Sequence, residues 1–189
     1  MLDAAGTERT APLFFVSAGQ INYLIPPGTG AGPALVTVTA GDGRISTGAV
    51  EISPVAPGLF TANASGRGVP AANALLFRPD SSFTTQAVSQ FDAATNRFVP
   101  APLDLGPEGN RLFLVLFGTG IKSRTDLSAV TCRIGGIDAA VLFAGPQGGF
   151  VGLDQINVEV PRDLLGRGEV EVELTVDGQP SNIVTINIR

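Results

Sequence analysis

The sequence has no histidine, no tryptophan, a single tyrosine and a single cysteine. Without histidine it lacks the commonest general base, the commonest metal ligand and the usual nucleophile–histidine triads. One cysteine, Cys132, excludes an internal disulfide. That suits a cytosolic protein, or a bacterial surface protein that does without bridges. Long apolar runs are also missing. The longest, Leu112-Phe113-Leu114-Val115-Leu116-Phe117, has the length of a strand and falls far short of the roughly 18 residues of a membrane span. Charge is scarce, at 15% of residues with a net of −5. The scattered Lys and Arg form no basic stripe, which argues against a nucleic-acid partner. Met1-Leu2-Asp3 has neither the charged start nor the apolar core of a signal peptide, and a segment cut from a longer chain would begin in the same way.

What the chain has instead is 24 glycines and 14 prolines among 44% hydrophobic residues. That balance points to a turn-rich all-β protein. Its organising stretch is Gln155-Ile156-Asn157-Val158-Glu159-Val160-Pro161, echoed 135 residues earlier by Gln20-Ile21-Asn22-Tyr23-Leu24-Ile25-Pro26. In each copy apolar residues alternate with others and a proline closes the run, as in a half-buried strand ending at a turn. Phe15 precedes the first copy and Phe143 the second. An alternating strand and a glycine turn follow each, so the chain contains two related β units.

Taken in order, residues 1–10 read as polar and turn-like. Strands are predicted over Leu13–Val16, Gln20–Ile25, Ala34–Ala40 and Arg44–Ile52, with a turn at Gly41-Asp42-Gly43. Pro54-Val55-Ala56-Pro57-Gly58 reads as a linker, which sets the units at 1–57 and 58–189. Within 61–110 the β-branched and aromatic content favours strands over a short helix at Thr85–Phe91. Ala74–Phe77 is one such strand, and Ala87–Phe91 pairs with Arg97–Val99. Beyond Glu108-Gly109-Asn110, Leu112–Phe117 reads as a strand buried on both faces. Val130–Ile134 and Ile137–Phe143 flank Gly135-Gly136 as a hairpin. Val170, Val172, Leu174 and Val176 alternate with Glu169, Glu171, Glu173 and Thr175 before the Asp177-Gly178 turn and a last strand over Ile183–Ile188. Many short strands with glycine turns make a sandwich or a barrel.

Leu13-Phe14-Phe15-Val16-Ser17-Ala18-Gly19-Gln20-Ile21-Asn22 resembles a motif of the Solibacter-type C-terminal repeat family of bacterial, largely acidobacterial, secreted or surface proteins. Ala56-Pro57-Gly58-Leu59-Phe60-Thr61, Leu116-Phe117-Gly118-Thr119-Gly120 and Gly152-Leu153-Asp154-Gln155-Ile156-Asn157 are similar to further parts of that pattern. The resemblance spans nearly the whole chain. It implies two immunoglobulin-like β-sandwich units, akin to IPT/TIG modules, the first of them incomplete because the family's strands before the Asp3-Ala4-Ala5-Gly6 turn are missing. It carries no catalytic residue and no cofactor.

Several motifs invite a chemical reading. Gly118-Thr119-Gly120-Ile121-Lys122-Ser123 follows a strand, as phosphate loops do. However, Ile121 separates the glycine from Lys122-Ser123, and Ser123 stands where a dinucleotide loop needs a third glycine. It reads as a glycine turn. Cys132 shares a strand face with Val130 and Ile134 and reads as a small core residue. Gln20 with Asn22, and Gln155 with Asn157, could contact a glycan, but their recurrence in both units suggests a structural task. No Asp-x-Asp calcium loop appears, and the acidic residues are too dispersed to indicate a glycosidase pair. Glu169, Glu171 and Glu173 read as a solvated face that deters edge pairing.

The expected role is therefore non-catalytic: a structural or adhesion-type β-sandwich module of a larger bacterial surface protein, extracellular or at the cell surface, without cofactor or metal. The alternative is a carbohydrate-binding accessory module, and a hydrolase is a weaker third. The expected partner is a protein or cell-surface component, with a glycan as the second class. A homo-oligomer through the incomplete first unit is also expected.

Three candidate contact residues follow. The loop Ala144–Leu153 is longer than its counterpart in the first unit, so it should be a surface excursion with Phe150 as its contact. The competing and preferred reading has Phe150 folding back to plug the sandwich. Leu24 stands where Glu159 stands, and Leu35 and Thr37 stand where Glu171 and Glu173 stand. Leu24 and Leu35 should thus form an apolar outer face, less accessible than those glutamates.

Overall fold

The computed structural model describes residues 1–189, and the protein is all-β. It forms two compact units, Met1–Pro54 and Val55–Arg189. No helix is long and apolar enough to cross a membrane.

The first unit consists of two antiparallel hairpins. One joins β1 (Leu13–Val16) to β2 (Ile21–Tyr23), and the other joins β3 (Gly32–Thr39) to β4 (Ile45–Ile52). β2 is shorter than its predicted span because Leu24 and Ile25 lead into Pro26-Pro27, which lack ladder donors. The opening residues are not simply a polar turn. Met1 and Asp3 are buried, and Leu2 forms a bridge to Leu35.

The second unit contains β5 (Gly58–Leu59), β6 (Ala72–Phe77), β7 (Phe83–Ala87), β8 (Ser89–Asp92), β9 (Arg97–Pro100), β10 (Pro102–Leu103), β11 (Arg111–Thr119), β12 (Val130–Ile134), β13 (Ile137–Ala139), β14 (Val141–Pro146), β15 (Asp154–Glu159), β16 (Gly168–Val176), β17 (Gln179–Pro180) and β18 (Val184–Ile188). One sheet runs β14-β15-β11-β6-β7, with β5 also on β11. The other runs β10-β18-β16-β12-β13, with β17 also on β16. The period of two along each strand turns Leu112, Leu114 and Leu116 of one sheet, and Cys132, Val172, Leu174 and Ile186 of the other, into one shared buried core. The predicted core set Val130, Cys132, Ile134, Ile156, Val158, Val160, Val172, Leu174 and Val176 is buried throughout.

Two strand readings need correction. β11 is not buried on both faces, because Phe113, Val115 and Phe117 are only half-buried. No third layer covers that side. Instead Phe113 packs edge-on to Phe77 at 5.5 Å between ring centroids, and the Arg111 guanidinium lies 5.0 Å from its ring. The predicted strand Ile137–Phe143 is broken at Ala140. β13 pairs with β12 in one sheet, and β14 pairs with β15 in the other, so the chain changes sheets there. In the irregular 61–110 region β8 pairs with β9 as a ribbon. Side-chain amides fasten this region by donating and accepting at one residue's main chain. Asn63 does so at Phe98 (2.7 and 2.9 Å) and Gln86 at Asp104 (2.7 and 2.8 Å).

The four strands of the first unit repeat four strands of the second. In the first unit Leu13 pairs with Tyr23, Phe14 bulges out, and Phe15 and Val16 pair with Asn22 and Ile21. In the second unit Val141 pairs with Val158, Leu142 bulges out, and Phe143 and Ala144 pair with Asn157 and Ile156. The following hairpins also agree. Gly32 opposite Ile52 through Val36 opposite Gly48 reproduces Gly168 opposite Ile188 through Val172 opposite Val184. Both hairpins open on a glycine in the left-handed region, with φ of 112° at Gly32 and 72° at Gly168. The first unit therefore has counterparts of β14, β15, β16 and β18. Within residues 1–54 no strand stands beside β2 as β11 does beside β15. Beside β3 only the Leu2 bridge occupies the side along which β12 runs beside β16.

Candidate contact surfaces

The loop after β11 shows how its glycines are used. A Cβ on Gly120 would lie 2.0 Å from the Ala56 carbonyl oxygen, and one on Gly118 would lie 2.4 Å from that of Gly58. Both glycines are needed where the β5 segment crosses at backbone distance. The loop does bind an anion, but an internal one. The buried Asp154 carboxylate accepts from the N–H groups of Ile121 (2.7 Å) and Lys122 (3.1 Å). The donors that a phosphate would need are thus taken by the chain itself.

Cys132 lies in the core, and burial, followed by the charge of Glu173, pushes its thiol up to about 12. It is not a nucleophile at neutral pH. The Gln–Asn pairs bond to themselves in both units. Gln20 Nε2 donates to Asn22 Oδ1 at 2.7 Å, and Gln155 Nε2 donates to Asn157 Oδ1 at 2.8 Å. Asn182 was not singled out by its sequence context. Its amide accepts from Leu59 N–H at 2.7 Å and donates to the carbonyls of Leu59 (3.0 Å) and Gly66 (2.9 Å), holding β5 in place. Only its partners, distant in sequence, reveal that role.

The long loop is a surface excursion, though it starts later than predicted. Ala144–Pro146 still belong to β14, so the loop proper begins at Gln147. At its tip Phe150 is 74% exposed and Val151 68% exposed. The plug reading is therefore overturned. The chain takes positive φ at Gly148 and Gly152, on either side of Phe150.

The outer-face expectation for Leu24 and Leu35 is also corrected. Leu24 and Glu159 are both half-buried, and Leu35 and Glu171 are both exposed, so neither leucine is less accessible than its own counterpart by burial class. Glu159 is covered because Arg111 clamps its carboxylate with bonds of 2.7 and 2.6 Å, and the reading of single strands could not anticipate that partner. Apolar side chains of the first unit are also bare on the face that the second unit buries. Val16 is 61% exposed, Ile25 42% and Val38 37%, whereas their counterparts Ala144, Val160 and Leu174 are buried.

A recess of about 230 Å³ in the second unit is bordered by Asn110, Arg111, Asp138, Glu159 and Arg162. Within it the Arg111 guanidinium pairs with the Glu159 carboxylate. The hydrogen bonds from Arg111 hold the Glu159 carboxyl below the usual carboxylate range. Arg162 donates to the carbonyls of Leu105 (3.2 Å) and Gly106 (2.7 Å). The arrangement is a solvated ion pair beside a clamped loop. Compared with protein-family models, curated proteins and solved structures, the chain finds no match.

Proposed function

We propose that this chain is a non-catalytic structural or adhesion-type module of a larger bacterial surface protein, extracellular or at the cell surface, built from immunoglobulin-like sandwich units of the Solibacter-type repeat family. One observation carries the reading. The motif that recurs in both units, with its bulge, its register and its internal Gln–Asn bond, serves the fold in each copy. The other groups with chemical potential are likewise engaged structurally: Asp154 caps a loop and Cys132 fills the core. The test is whole-cell labelling with an antibody to the chain, combined with protease shaving of intact cells. Surface signal lost on shaving is expected, and signal confined to the cytosol overturns the reading. Assays with chromogenic esters, glycosides and phosphates should show no turnover. Turnover abolished by one substitution would overturn the non-catalytic part.

The exposure of Phe150 supports a second reading, a carbohydrate-binding accessory module, because an exposed aromatic ring is the usual platform for a sugar face. A glycan array probed with the full chain decides it. A defined hit lost in Phe150→Ala favours carbohydrate binding, and no hit leaves the structural module.

A further inference from the structure

The second unit shows what covers the surface that residues 1–54 leave bare. Ile156, Val158 and Val172 are buried there because β11 lies along one side of β15 and β12 along one side of β16. Their counterparts Ile21, Tyr23 and Val36 are only half-buried. Both covering strands run antiparallel to the strands they cover. The strand missing beside β2 is also of a kind that β2 itself supplies. Ile21, Tyr23 and Ile25 alternate as Leu112, Leu114 and Leu116 do.

The directions of the open edges matter. β13 and β14 are consecutive in the chain and lie at the ends of their two sheets, so they mark one common edge of the sandwich. From that edge β11 lies beyond β15, whereas β12 lies before β16. The hairpins β1–β2 and β3–β4, as counterparts, are diagonal quarters of a sandwich whose free sides point in opposite directions. A twofold axis normal to the sheets places β2 antiparallel to β2 of a second copy and keeps the inward residues of both on one face. The same rotation lays each copy's β3–β4 over the other's β1–β2.

Charge points to the same occupant. No Asp, Glu, Lys or Arg occurs from Thr10 to Gly41, whereas the matching stretch of the second unit carries eight charged residues of both signs between Asp154 and Glu173. A symmetric contact sets charges close to their own copies, so an uncharged strand is what a second copy tolerates. β2 has no lysine and no proline within it to block edge pairing. We infer that residues 1–54 of two copies of this chain close on each other, β2 against β2, into one complete sandwich. The inference stands apart from the proposed function, since a surface module and an enzyme could dimerise alike.

Sedimentation velocity and light scattering on the full chain over a concentration series test it. The expected mass is twice the chain's 19.4 kDa. Ile21→Glu and Ile25→Glu should give a monomer, and the outward Leu24→Glu should leave the dimer intact. A glutamate at Ile21 can also unfold the unit, so a second measurement is needed. Asn22→Cys and Tyr23→Cys, adjacent positions on the pairing strand, are each oxidised mildly in the native protein. At least one should form an interchain disulfide, while the parent with its buried Cys132 forms none. A monomer at every concentration overturns the inference. So does loss of the dimer in Leu24→Glu with its retention in Ile21→Glu, or a dimer that neither cysteine cross-links.

Discussion

Phe150 holds the most exposed of the large apolar side chains, at the tip of a loop whose backbone turns at glycines. A ring in water contributes nothing to the core, so Phe150→Ala should leave stability within about 0.5 kcal/mol of the parent. Thermal melting checks this, and a loss of about 2 kcal/mol or more would mean that the ring packs after all. Asp3 is the opposite case. Its carboxylate accepts from the N–H groups of Gly30 (2.9 Å), Thr7 (2.9 Å) and Ala5 (3.0 Å) and pairs with the Arg9 guanidinium. The Gly30 and Thr7 bonds, more than Arg9, lower its pKa from 3.8 to about 2. A carboxyl depressed on folding stabilises above its unfolded pKa and loses that contribution as pH falls through its folded pKa. The first unit should therefore weaken between about pH 4 and pH 2, and Asp3→Asn should flatten that dependence. Tyr23 emission during acid titration reports it, because Tyr23 is the only tyrosine and there is no tryptophan.

At the scale of elements, β11 is held along both edges, by β15 on one and by β6 followed by the β5 segment on the other. The crossing brings backbone close to backbone and depends on Gly118 and Gly120. Gly120→Ala meets both a backbone carbonyl and a left-handed φ of 77°, so it should cost roughly 3 kcal/mol or more. Gly136→Ala has a similar φ of 78° but open space around the new methyl, and should cost only about 1–2 kcal/mol. Chemical denaturation of the two variants separates crowding from backbone strain. Equal losses would mean that the β5 segment moves aside.

For the whole molecule, the uneven core predicts uneven stability. Most of the buried apolar side chains lie in the second unit, and the first contributes only Met1 and Ala34. Apolar burial is the main favourable term in folding. At low protein concentration Tyr23 emission should therefore change at a lower denaturant concentration than the far-UV circular dichroism, which is dominated by the second unit. Coincident transitions would show that the first unit draws its stability from the second. Hydrogen exchange should likewise be fastest at β2 and β3 and slowest at β11, β15 and β16.

The all-β class, most of the strands from β11 onward and the repeat were legible from sequence, because period-two alternation and glycine turns are local signals. Val172 and Leu174 face the core and Glu171 does not for a reason visible within one strand. The same holds for the internal placement of Cys132 and for the rejection of Gly118–Ser123 as a phosphate loop. What neighbours a strand is a non-local matter, and there the tertiary structure decided. It assigned the Ile121 and Lys122 amides to Asp154, broke Ile137–Phe143 between two sheets, and set Arg111 across from Glu159. It also turned Phe150 outward. Alternation alone marks two faces of a strand without saying which one finds cover. For β2 and β3 the inward face is covered only in part, and only the positions taken by β11 and β12 in the other unit reveal that.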